Sequence, residues 1–307
     1  MTACGVTDEP GLRIATNQWI GYELLYLNET ISQNQQSEPL RVQLVELLSN
    51  SDSLQALAAG TVDGAGLTLD EVIGARAAGL DLKIVLVFDI STGADVLLAK
   101  PGITRLEDLK GMRVGVEQTG VGALMLESAL TKAHLKASDI KLVSLTADRH
   151  LAAFEHDALD ALVTFEPFAS QIMKAGGRLL FDSREIPDGI VDVLAISAKA
   201  LQANPDTLRS LIARYFKAMD YLHDHFLAAS RMMAPRLGLT PEAVQAAYTG
   251  LSLPDLKENR RLLNGSPPPL EITAGKLATL MLRERLLAQK IEVNNLIHAQ
   301  ALPEAES

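Results

Sequence analysis

Cysteine is nearly missing from this 307-residue chain: Cys4 is the only one, so no internal disulfide is available and no buried cysteine nucleophile is expected. Basic residues are outnumbered, 28 Lys and Arg against 38 Asp and Glu, for a formal net charge of −10. With no basic stripe in view, nucleic acid is not expected as a partner. No run reaches the roughly 20 apolar residues that a membrane-spanning helix needs. Catalytic and cofactor signatures are missing too. Gly120-Val121-Gly122-Ala123-Leu124-Met125 lacks the third glycine of a dinucleotide fingerprint, and there is neither a Gly-x-Ser-x-Gly elbow nor a phosphate loop. The six histidines are scattered; His223 and His225, two apart in a helical stretch, face different ways and make a poor metal pair. No catalytic residue, metal or cofactor is therefore assigned.

What is present is a folded α/β pattern, with 48% hydrophobic residues and room for two lobes. Leu12, Ile14 and Ala15 read as a buried strand that exits through polar Thr16-Asn17-Gln18 into Trp19, Gly21 and Tyr22. Trp19 is the only tryptophan of the chain. A helix follows at Leu24, Leu25 and Leu27. Residues 40–48 alternate like a strand, and the Ser49–Ser53 run offers N-caps for a helix over Leu54–Ala59, closed by Gly60. Val62–Leu67, Leu82–Phe88 and Ala94–Leu98 are further strands, with a helix over Thr68–Ala78. Such alternation predicts mostly parallel sheets covered by helices.

From Pro101 the order repeats. Met112–Glu117 is a strand, Ala123–Ala133 a helix, Ile140–Leu145 a strand, Asp148–His156 a helix, and Ala161–Phe165 a strand before a helix over Phe168–Ala175. Leu54…Asp63 and Leu151…Asp160 share the spacing between helix leucine and terminal aspartate, so the lobes read as a duplication. Val191–Ile196 is taken as the return crossing. The expected division is a tether over 1–10, lobe 1 from 11–93 and 190–300, lobe 2 over 94–189, and a disordered tail over 301–307. The helices after Pro205 carry no chemical motif and buttress lobe 1.

Ligands of open α/β sheets sit beyond the carboxyl ends of the strands, against helix N-termini. That rule selects Gln18, Trp19, Tyr22, Ser51, Asp52, Thr68 and Asp70 in the first lobe, and Thr119, Gly120, Val121 and Glu166 in the second. The glycines at 120 and 122 either expose backbone N–H groups to an anionic group or only allow close packing. Trp19 is either core or a stacking wall for a ligand. Glu166 either faces the cleft or caps the helix after Pro167. Thr2-Ala3-Cys4-Gly5 looks like the end of a bacterial lipoprotein signal, which would put a lipid on Cys4; otherwise Cys4 is a chance cysteine in a frayed terminus.

Taken in order, Trp19-x-Gly21-Tyr22, Gln55-Ala56-Leu57-Ala58-Ala59-Gly60-x-Val62-Asp63, Val114-Gly115-Val116-x-x-x-Gly120 and Asp160-Ala161…Glu166-Pro167 resemble one family. It is the NMT1/THI5-like group of periplasmic solute-binding proteins of ABC importers for nitrate, sulfonate, taurine, bicarbonate and thiamine precursors. The resemblance covers residues 11–230. It implies a two-lobe, type II periplasmic-binding-protein fold of the Venus-flytrap kind, with mixed sheets flanked by helices and the ligand clamped at the hinge. It also implies ligand contact for Trp19, Tyr22, Thr119, Gly120, Val121 and Glu166. Glu23 stands where many relatives carry a proline.

The function so implied is a monomeric, extracytoplasmic receptor in the periplasm or cell envelope, anchored through Cys4, that delivers a small solute to an ABC permease. The acidic loop tips and the Trp19–Tyr22 pair favour a zwitterionic amine or nitrogen heterocycle, with a sulfonate-like ligand as the family alternative. The rival functions are an enzyme of pyrimidine or menaquinone type on the same fold, and a sensor module.

Overall fold

The computed structural model describes residues 11–36, 38–117, 120–186 and 189–304. The first strand-helix units are β1 (Leu12–Thr16), α1 (Glu23–Asn34), β2 (Val42–Glu46), α2 (Asn50–Ala59), β3 (Gly64–Thr68), α3 (Leu69–Ala77) and β4 (Leu82–Ser91). The middle of the chain forms β5 (Asp95–Ala99), β6 (Arg113–Val116), α4 (Gly120–Lys132), β7 (Lys141–Ser144), α5 (His150–Glu155), β8 (Ala161–Phe165), α6 (Phe168–Lys174) and β9 (Arg178–Asp182). The remainder is β10 (Ile190–Ser197), α7 (Ala198–Ala203), α8 (Pro205–Asp224), α9 (Phe226–Leu237), α10 (Pro241–Tyr248), β11 (Leu251–Ser252), α11 (Leu256–Leu263) and α12 (Pro269–Arg283).

These strands make two sheets, ordered β11-β4-β10-β3-β1-β2 and β7-β6-β8-β5-β9. The chain leaves the first sheet after Ser91, enters the second at Asp95, leaves it after Asp182 and re-enters the first at Ile190. The sheets share a plan. In the first, β1 lies parallel between β2 and β3, and β10 runs antiparallel beside β3; in the second, β6 lies parallel between β7 and β8, and β5 runs antiparallel beside β8. The fold is thus a two-sheet α/β frame, but among the described residues the sheets are mixed and not mostly parallel: four strand pairings are parallel and five antiparallel, because the crossing strands β5 and β10 run against their neighbours.

Local chemistry sets the element ends. Ser49 caps α2 by accepting from the Asp52 N–H, and Gly60 closes that helix at φ 68°, a left-handed conformation that glycine adopts without strain. Pro205 opens α8, whose Leu208, Leu211, Ile212, Tyr215, Met219 and Leu222 recur at helical spacing and are buried. Along β5 the side chains alternate between two cores. Leu97 and Ala99 join the large one that runs through both lobes, while Val96 and Leu98 pack with Phe154, Leu162 and Ile172 under α5 and α6.

Two sequence expectations need correction here. Residues 178–182, left unassigned, form the edge strand β9 beside β5. The segment from 301 is not a free tail throughout: Ala301 and Leu302 are buried in the large core, which apolar side chains at that position are driven to fill. The tether over 1–10, and residues 305–307, lie outside the described residues.

Candidate functional site

The carboxyl ends of β1, β3 and β8 face the gap between the sheets, and the antiparallel crossing strands bring their own first residues to the same edge. Asp192 of β10 stands opposite Thr68 at the end of β3, and opposite Asp89 of β4 on its other side. Asp95 of β5 stands opposite Phe165 at the end of β8. Two small recesses of about 10 and 20 Å³ lie here and share Asn50, Asp95, Val121 and Phe165. Asn17, Trp19, Tyr22, Thr68 and Asp192 complete one; Glu117, Gly122, His150 and Val163 complete the other. Each holds roughly one water-sized group. A wider groove of about 700 Å³ opens laterally among α2, α3, α4 and α12, but Leu54, Ala58, Leu126 and Leu286 make its lining mainly apolar. Converging polar groups mark the small cavity as the candidate site.

Its aromatic wall is fixed from behind. Trp19 is 4% exposed and its Nε1 donates to Asp89 Oδ2 at 3.0 Å. Gly21 allows this: a Cβ there would stand 1.8 Å from Asp89 Oδ2 and 2.6 Å from Trp19 Nε1. Glycine at 21 therefore serves close approach. Across the junction the Trp19 and Phe165 rings meet edge to face, centroids 5.7 Å apart. Tyr22 donates from its hydroxyl to Asp192 Oδ1 at 2.5 Å. A chain of amides orders the floor: the Trp19 N–H donates to Asn17 Oδ1, Asn17 Nδ2 to Asn50 Oδ1, and Asn50 Nδ2 to Glu71 Oε1.

The site is acidic and short of cations. Burial chiefly, then neighbouring carboxylates, pushes Asp192 well above the usual carboxylate range. Burial likewise raises Asp89, with the Trp19 hydrogen bond opposing and Asp95 adding to the rise. Asp95 is pushed up to about 7, by burial first and by the charge of Asp70, against the Ser91 hydroxyl that holds it down. Among the described residues, Asp89 Oδ1 and Asp95 Oδ2 have no hydrogen-bond partner, which for a buried oxygen is costly. His150, buried behind the same recess, is lowered to about 4 by burial; its Nδ1 lies 3.0 Å from Thr164 Oγ1, and its Nε2 has no partner among the described residues. Among the described residues, no group of three His, Cys, Asp or Glu side chains converges to hold a metal.

The positions selected from sequence separate into three sets. Trp19, Tyr22, Thr68 and Val121 border the cavity. Ser51, Asp70 and Gly120 lie at the junction of the lobes without bordering it. The Ser51 N–H and Oγ each donate to Glu117 Oε1 at 3.4 Å, joining α2 to the exit of β6. Asp70 faces the lateral groove and lies against the start of α4, where a Cβ on Gly120 would stand 2.1 Å from its Oδ2. The third set has other work. Gln18 is half-buried, and it is Asn17 that borders the cavity. Asp52 exchanges hydrogen bonds with Ser49 at the start of α2. Glu166 accepts from the Ser170 N–H at 3.1 Å and from Ser170 Oγ at 2.9 Å, so its carboxylate caps α6 instead of facing a ligand. Thr119 and Cys4 lie outside the described residues.

Sequence reasoning missed Asn17, Asn50, Asp89, Asp95, Glu117, His150, Phe165 and Asp192. A signal existed for the aspartates: each is the only acidic residue within an apolar β run, at 82–91, 94–99 and 190–197. A lone carboxylate in a buried strand needs a partner or a function.

The model of the family described as NMT1/THI5 like matches residues 36–228, more than half of the chain. The chain is 28% identical over 263 residues to the putative aliphatic sulfonates-binding protein of Escherichia coli (strain K12), covering 84% of this chain and 79% of that one. In structure it is similar to the alkanesulfonate-binding protein SsuA from Xanthomonas axonopodis pv. citri bound to MOPS: the TM-score is 0.77 at 21% identity, over 94% of this chain and 97% of that one. The periplasmic nitrate-binding protein NrtA from Synechocystis PCC 6803 gives a TM-score of 0.76 at 10% identity, over 94% and 86%. At such identities the structural likeness is one of fold, and it matches the two-sheet plan described above. The chain therefore belongs to the NMT1/THI5-like family, on a two-lobe periplasmic-binding-protein frame.

Proposed function

We propose that this protein is the solute receptor of an ABC importer: it closes its two lobes on a small polar molecule and presents the closed form to a membrane permease. The observation that carries this reading is the cavity itself, walled by Trp19 and Tyr22 from one lobe and by Phe165 and Val121 from the other. A ligand touching both walls stabilises the closed arrangement by its differential affinity for it. The relatives named as binding proteins support a receptor in place of an enzyme. The ligand class expected for the site is an amine, a nitrogen heterocycle or a sulfonate-like molecule. Native mass spectrometry of freshly purified protein tests this: a retained solute, released unchanged in mass, supports the receptor. A mass-shifted product after incubation favours the enzyme, for which His150 and Asp95 border the same recess.

The envelope location and the lipid on Cys4 belong to the same proposal. Metabolic labelling with a fatty-acid analogue, behind a complete signal in a bacterial host, is expected to mark the wild type and to spare Cys4→Ser. Equal labelling of the two removes the anchor from the proposal.

A further inference from the structure

We infer that the solute is an organic cation bearing N–H groups, held by the carboxylates of Asp95 and Asp192 against the Trp19 and Phe165 rings, and not a sulfonate or inorganic anion. The inference rests on the reading of the interlobe cavity as the solute site, and it assigns the charge of what enters.

Three observations converge. Asp95 borders both recesses, is 5% exposed, and leaves Oδ2 with no partner among the described residues. A buried acceptor in that position calls for a donor from the ligand. Second, the charges that act on Asp95 and Asp192 are those of Asp70, Glu71 and Asp89, all carboxylates. An anion placed beside them would drive these carboxyls further toward their protonated forms, which costs free energy wherever they are ionised. A cation supplies the charge that the cluster lacks, and the Tyr22 hydroxyl already holds one Asp192 oxygen in place. Third, the Trp19 and Phe165 rings line the same recess as Asp95 and Asp192, and aromatic rings attract an alkylammonium or amidinium group.

A metal ion fits less well, since among the described residues no three ligating side chains converge. The acceptors are instead spread over two adjoining recesses, each with room for about one water-sized group as the lobes stand, so a compact planar cation with several N–H groups, such as guanidinium, enters as the lobes part. The anion-binding alternative relies on the start of α4. There Asp70, with its Oδ2 unpartnered and in reach of Gly120, already sets a carboxylate against the backbone that would have to receive a sulfonate.

The test is a competition. Ligand-stripped protein at about pH 7.5 is incubated with an equimolar mixture of methylguanidine, benzamidine, ethylamine, taurine, ethanesulfonate and nitrate. Retained species are weighed by native mass spectrometry, and binding is followed by emission of the single tryptophan, Trp19. Retention of a cation is expected, with at least tenfold weaker binding to Asp95→Asn and to Asp192→Asn. Both substitutions preserve side-chain shape, and an unchanged or higher Tm in each shows that the fold survives. Retention of ethanesulfonate or nitrate, retention of none of the six, or cation binding that both variants leave intact overturns the inference. An anion that alters Trp19 emission removes the charge assignment and leaves the cavity as the site. A cation that binds without altering it removes the cavity reading itself.

Discussion

The indole Nε1 of Trp19 donates to Asp89 Oδ2 at 3.0 Å, tying the exit of β1 to the end of β4 across 70 residues of chain. The bond orients the aromatic wall and satisfies one oxygen of a carboxyl whose other oxygen has no partner among the described residues. Trp19→Phe keeps the apolar face and leaves the Asp89 carboxyl wholly unpaired. Its unfolding free energy is expected to fall by about 1–3 kcal/mol, the penalty of an unsatisfied buried polar group. Urea unfolding of Trp19→Phe, Asp89→Ala and the double variant checks it. Additive effects would mean that no coupling exists between the two side chains.

The proposed closure brings α4 against α3. Gly120→Ala would set a Cβ 2.1 Å from Asp70 Oδ2, so the buried Asp70 carboxyl must turn aside or α3 and α4 must move apart. Solute affinity is expected to drop at least tenfold, about 1.4 kcal/mol, with a larger radius of gyration in small-angle scattering of the liganded form. Gly74→Ala, in α3 with open space around its Cβ position, is the control and should leave affinity unchanged. Equal affinities in both variants would show that this contact plays no part in closure.

Glu166 gives the opposite forecast. Both of its oxygens are taken by Ser170, so Glu166→Gln should lower stability by about 0.5–2 kcal/mol through a weakened cap on α6. Solute affinity should change less than twofold. A tenfold loss, read by calorimetry, would return the carboxylate to the ligand.

The duplication was legible because it is written in local spacing. Asp63 and Asp160, the ends of the echoed segments, do the same work in each lobe. Asp63 accepts from the Arg13 N–H at 2.8 Å and Nε at 3.0 Å; Asp160 accepts from the Arg113 N–H at 2.8 Å and Nε at 3.0 Å. Trp19 and Val121 were reachable for a related reason, since each follows the end of a parallel strand and the carboxyl-edge rule applies directly. Asp95 and Asp192 escaped the rule because they begin antiparallel strands, whose starts share that edge only once the crossing is known. Glu166 obeyed the rule in place but not in role. A carboxylate four residues ahead of a serine can turn inward to a helix end, and sequence alone does not choose between cap and cleft.

Acidity should make the ligand-free protein less stable toward alkaline pH, and the sign follows from the direction of each shift. Burial raises Asp95 to about 7 from an unfolded value near 3.9, so between those pH values the folded chain binds the extra proton. Stability from Asp95 is therefore complete below about pH 4 and is lost as pH rises through 7. Asp89, Asp192 and Glu71 are raised too, and push the same way. His150 works in reverse. Burial lowers it to about 4 from roughly 6.5, so its contribution is complete above about pH 6.5 and fades on acidification. The two effects oppose each other from about pH 4 to 6.5, and above that the carboxylates act alone. Scanning calorimetry of stripped protein should thus show Tm falling between about pH 6.5 and 8. Asp95→Asn should flatten that fall, and His150→Gln should extend it toward about pH 4. A saturating organic cation should cancel it, because the bound charge replaces the protons. A Tm that stays level or climbs from pH 6.5 to 8 without ligand would mean that these carboxyls titrate as they do in the unfolded chain.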